Sequence, residues 1–200
     1  MAISIRWMAL LPLVAVSTAQ QQDVAQQIQQ LSSPGRAEAL GAKLLRDARG
    51  PGAAVAAVWQ TGDAAARQNA RTVLNEMEEA AIHPLMSANG NLAADEQVWR
   101  MTMLVDTLAD LRKNAAALLD RQLTNKQPAP RPSMPGAEES DASRRVCDEA
   151  YIQMSRLMAV DPQSEAFLLR MRQFRRMPES GRDSEIHRAR QSVAWQSLLR

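Results

Sequence analysis

A single cysteine, Cys147, rules out an internal disulfide and any cysteine-based metal cluster. Tyrosine occurs once and phenylalanine twice, and aromatics make up only 4% of the chain, so residue types that favour strands are scarce. Two histidines, His83 and His187, leave no histidine-rich metal site to assemble. No large charge excess of one sign exists either: 24 basic residues face 22 acidic ones, a formal net charge of +2, although the pI is near 9.1. Because the two signs are interspersed over most of the chain, they read as solvated helix faces and call for no nucleic-acid partner. Alternation of apolar and polar residues with the two-residue period of a strand is absent.

What remains is helical in character. Hydrophobic residues reach 46%, carried by Ala, Leu and Met, and the polar load falls largely on Gln, Glu and Arg. All are strong helix formers. At 200 residues the chain suits one ordinary domain or a short repeat array, enough to bury roughly 70% of the surface exposed when unfolded.

Residues 1–19 have the three parts of a secretory signal peptide. Arg6 supplies positive charge, Trp7 to Val16 an apolar run, and Ser17-Thr18-Ala19 the small residues of a cleavage site. The run is half the roughly 20 residues a membrane span requires. The alternatives are an uncleaved anchor or a buried N-terminal helix, and Pro12 with the abrupt change to a Gln-rich stretch opposes the helix. The expectation is a mature chain beginning near Gln20, periplasmic or extracellular, with no transmembrane helix.

Breakers divide the rest. Residues 20–33 form a Gln-rich lead-in, with Val24, Ile28 and Leu31 at helical spacing. Ser33-Pro34-Gly35 opens a helical region over 34–124, which Gly50-Pro51-Gly52 interrupts, Gly62-Asp63 restarts and Asn89-Gly90-Asn91 punctuates. Between Asp95 and Leu123 there is no Gly or Pro, which fits one long helix or, by the repeat register below, two with a turn near Thr107 to Asp110. Residues 127–136 hold four prolines in ten positions, which excludes helix, and an acidic AEESDAS follows. Residues 125–142 therefore read as a linker or a long surface loop, and 143–200 as further helices.

The predicted core follows helical stripes. Ala66, Ala70, Val73, Leu74 and Met77 form one, and Cys147, Ala150, Tyr151, Met154, Leu157 and Met158 a second. Phe167, Leu168, Met171 and Phe174 form a third, and Ile186, Ala189 and Val193 begin the last. Small residues recur in successive helices at Ala39, Ala70 and Thr102, 31 and 32 residues apart, and again at Ala150 and Ala189. A small side chain at such a position lets helix axes approach to about 8–10 Å.

The block ARQNARTVLNEMEEAAIHPLMSA, residues 66–88, resembles the HEAT-repeat family, specifically the short bacterial HEAT-like repeats. Arg67, Ala70 and Leu74 match the first helix of that motif, with Ala66 in its Val place, and Ala81, Ile82, Pro84 and Leu85 match the second part. Residues 98–108 and 146–150 carry it less completely, through Val98, Val146 and Ala150. The resemblance implies an all-α solenoid of stacked antiparallel helix pairs that binds a partner on its concave face. An irregular helical bundle is the alternative.

Chemistry-bearing residues form no set that the sequence can assign as catalytic, cofactor-binding or metal-binding. His83 and His187 each have a carboxylate four residues earlier, Glu79 and Asp183, and neither has a second His or a Cys nearby. Cys147 lies on an apolar stripe, as an inert buried thiol does. From Ala166 to Arg200 eight arginines face three acids. With the third stripe turned to the core, Arg172 and Arg176 point outward and Arg175 flanks the stripe. These three are the candidate partner-binding residues, for an acidic protein or an anionic membrane surface. The expected function is an exported, non-enzymatic scaffold for a protein partner, with no cofactor. A chromophore-lyase type of enzyme is the alternative that the resemblance carries. Nucleic-acid binding through the basic C-terminal helices is a further one, opposed by export and near-neutral charge.

Overall fold

The computed structural model describes residues 22–31, 36–37, 39–40, 51–77, 81–88, 92–107, 112–129 and 143–200. The signal segment and residues 130–142 lie outside them. The described chain is mostly helical and contains no strand. It divides into two compact units, Met1–Asn91 and Leu92–Arg200. No described helix is long and apolar enough to cross a membrane.

In the first unit the Gln-rich lead-in is helical over 22–29 (α1), with Val24 and Ile28 buried. Pro51 begins a helix, α2 (Pro51–Thr61), where its missing N–H costs nothing. Its Ala54, Val55, Ala56, Val58 and Trp59 are all buried. The turn into α3 (Ala64–Glu76) needs Gly62, because a Cβ there would meet the Val58 carbonyl oxygen at 2.6 Å. Asp63 then caps α3, its carboxylate accepting from the Ala66 N–H at 2.8 Å. The stripe Ala66, Ala70, Val73, Leu74 and Met77 is buried as predicted, and α2 packs against α3. The Asn69 amide donates to the Leu31 carbonyl at 3.0 Å, satisfying a carbonyl just beyond α1. The short α4 (Ile82–Ser87) packs on α2 and buries Ile82 and Leu85.

The second unit is organised around one helix. The stretch Asp95 to Leu123 is divided between α5 (Ala94–Thr107) and α6 (Arg112–Gln122), and both pack against α7 (Val146–Met158). Every residue of α7 from Val146 to Ser155 is buried, not one stripe alone. α8 (Glu165–Arg176), α9 (Glu179–Arg190) and α10 (Val193–Leu199) complete the unit. The only tyrosine, one of two phenylalanines and one of four tryptophans gather at α7. Tyr151 lies 4.3 Å from Phe174 and 6.3 Å from Trp195 between ring centroids. The Trp195 indole donates to Asp120 at 3.0 Å, and Arg190 grips the same carboxylate at 3.1 and 2.9 Å, tying α9 and α10 to α6.

The flanks of the proline-rich segment are joined. The Ala129 N–H donates to the Arg144 carbonyl at 2.8 Å, Val146 to Gln127 at 3.0 Å and Cys147 to Asn125 at 2.9 Å. The chain therefore leaves α6, passes through residues 130–142, and re-enters beside its point of departure.

Two stripe assignments need correction. Leu168 is 43% exposed and Phe167 only half-buried, so α8 buries Met171 and Phe174 alone. Val193 is 84% exposed, because α9 ends at Arg190 and Ser192 caps a new helix, its hydroxyl accepting from the Trp195 N–H. The recurrent small positions also differ: Ala70 and Ala150 are buried, Thr102 and Ala189 half-buried, and Ala39 exposed.

Candidate functional site

The densest charged cluster lies at the start of α7. Asp148, 2% exposed, accepts from the Arg145 N–H at 3.1 Å and from its guanidinium at 3.2 and 2.9 Å. Arg182 of α9, 3% exposed, approaches the same carboxylate at 3.5 Å. Arg145 also pairs with Asp183 at 2.8 Å, and Asp183 with Lys126 at 2.8 Å. Beside them the Arg144 guanidinium donates to Glu149 at 2.8 Å. Carboxylates so far from water require such partners. The hydrogen bond to Asp148 raises the Arg145 pKa, against the opposing effect of burial. The hydrogen bond from Lys126, with that from Arg145, holds the Asp183 carboxyl below its usual range.

Arg182 reaches further. It donates to the Ser143 carbonyl at 2.9 Å and to the Arg175 carbonyl at 3.5 Å. Ser143 has φ of 52°, a left-handed backbone that a non-glycine residue rarely adopts. Arg182 thus fixes the return of the chain into α7 and the end of α8 together.

Cys147 is buried and free, its sulfur 3.9 Å from an Asp148 oxygen. Burial, then the nearby carboxylate, push the thiol up, away from the reactive thiolate. His83 is exposed on α4. His187 is exposed with the Gln191 amide at 3.0 Å, while Asp183, four residues earlier, turns to Arg145 and Lys126 instead. Among the described residues no group of His, Cys, Asp and Glu could hold a metal ion.

The three predicted arginines fall on two sides of α8. Arg172 and Arg176 are exposed on the water-facing side of α8, off the stripe of Met171 and Phe174, with exposed Leu168 and Leu169 on the same side. Arg175 is half-buried beside the core, and its Nε makes no hydrogen bond. A sequence reading misses the cluster at α7 because its members are spread over residues 126–183. The one local signal is the run Arg144-Arg145-Val146-Cys147-Asp148-Glu149, where opposite charges stand three and five residues apart.

Comparison with protein-family models, curated proteins and solved structures finds no match.

Proposed function

We propose that this chain is an exported helical scaffold that docks an acidic protein partner on the outer strip of α8. The observation that carries the reading is the pairing of exposed Leu168 and Leu169, 43% and 49% accessible, with Arg172 and Arg176 on the face turned away from the core. Arginine beside apolar side chains is the composition enriched at protein interfaces. Complementary charge sets orientation and association rate there. Arg175 supports the strip from its edge. Export rests on the three-part segment at residues 1–19.

The finer architecture divides between the units. A HEAT-like antiparallel pair is the reading for α2 and α3, supported by the tight Gly62-Asp63 turn and by buried Ala66 and Ala70. For Leu92–Arg200 the irregular bundle is the better reading, since α7 is covered on all sides.

A photo-crosslinking residue at Leu169, in protein recovered from the exported fraction, tests the reading. The expected result is one discrete crosslinked protein, lost in the double variant Arg172→Glu, Arg176→Glu while helix content is unchanged. Crosslinking that survives the charge reversal contradicts it, as does its absence in the parent. The intact mass of the same preparation should correspond to a chain beginning near Gln20.

A further inference from the structure

A cavity of about 320 Å³ opens between α7, α8, α9 and α10. Its polar wall is made by Tyr151, Ser155, Arg170 and Glu185, and Met158 and Phe167 give it an apolar side. Ser155 is 1% exposed, and its hydroxyl, which lies beside that of Tyr151, makes no well-formed hydrogen bond. A buried hydroxyl left unmade is destabilising, and native structures rarely tolerate one without a use.

The two charges of the wall do not answer each other. Glu185 accepts from the Tyr151 hydroxyl at 3.2 Å and from the outlying Arg188 at 2.8 Å, and makes no ion pair with Arg170. The Arg170 guanidinium stacks on Phe167, 5.8 Å from the ring centroid, and has no carboxylate partner among the described residues. Tyr151 senses both: burial first, then Glu185, push its pKa up, while Arg170 works the other way. A cation and an anion therefore line one small cavity without pairing.

A simple anion such as phosphate would satisfy Arg170 and be repelled by Glu185, and a simple cation the reverse. A compact zwitterion answers both. The volume lies at the small end of ligand pockets, roughly 300–1,000 Å³, which suits a single amino acid. We propose that this cavity binds a free apolar α-amino acid. Its ammonium would meet Glu185, its carboxylate Arg170 and the Ser155 hydroxyl, and its side chain Met158 and Phe167. The inference is independent of partner docking on the opposite face of α8.

Calorimetric titration of the full chain with leucine, methionine and phenylalanine tests this, with the N-acetyl and the amide forms of each in parallel. At least one free amino acid should bind saturably, and both of its blocked forms about tenfold more weakly or worse, since each loses a charge-assisted hydrogen bond. Arg170→Gln should erase the preference over the amide and Glu185→Gln that over the N-acetyl form, each with helix content unchanged. Both side chains reach the surface, so neither change opens the core. No saturable binding of any of the three overturns the proposal, and so does equal binding of free and blocked forms.

Discussion

Asp148 faces two arginines that have almost no access to water, and its loss would leave Arg182 with no carboxylate partner among the described residues and Arg145 with Asp183 as its near one. Breaking a buried pair from one side costs about 3–5 kcal/mol. Asp148→Ala should lower the unfolding free energy by that order in a urea titration, whereas a loss under about 1 kcal/mol is what a surface pair would give. Asp183 bears on acid stability. Its carboxyl is held below the ordinary range by Lys126 first and Arg145 next, so folding favours the charged form. That contribution is complete above the unfolded value of about 3.9 and is lost as pH falls through the lower native value. The urea midpoints of the parent and Asp183→Asn should therefore differ at neutral pH and converge in acid. A gap that stays constant across that range would contradict the linkage. At this scale the sequence was informative for Cys147, whose apolar neighbours place it inside. It was misleading for Asp148 and Glu149, because a carboxylate in a helical window reads as solvent-facing until its partner, as distant as residue 182, is known.

Among the elements, α3 was legible because one apolar stripe is all it buries. Ala70 is fully buried while Gln68 is exposed. Ala70→Leu should cost roughly 1–3 kcal/mol through overpacking. Gln68→Leu should stay within about 0.5 kcal/mol. Equal shifts in thermal midpoint for the two would mean that this face does not carry the packing. α7 was less legible. Its stripe is buried except for Met158, which is half-buried, and ion pairs and the hydrogen bonds of Gln153 to Thr102 and Tyr151 to Glu185 let its polar side go inside too. Leu168 and Val193 fit a helical period and still face water. For Val193 the reason is local: the cap at Ser192 restarts the helix and resets its phase. For Leu168 it is the narrow buried face of α8, which Met171 and Phe174 fill.

For the molecule as a whole, composition was enough to give an all-α chain, since scarce aromatics and β-branched residues leave little to build a sheet. The candidate docking strip on α8 was legible for Arg172 and Arg176, because they lie off the stripe that α8 buries. The organisation of the second unit was not, because proline content marks where helix stops and says nothing of where the chain goes next. In the structure the flanks 125–129 and 144–147 are hydrogen-bonded to each other, and α7 packs against α5 and α6, which precede it in the chain. The central claim is that Leu92–Arg200 folds as one body about α7 and holds α8 in place as a platform. Cleavage by a glutamate-specific protease within Glu138-Glu139, followed by sizing and thermal unfolding of the nicked protein, tests it most directly. The account predicts that the two fragments elute together at the mass of the uncut chain and that the unit around α7 unfolds in a single transition. Separation of the fragments on the column under native conditions would contradict it.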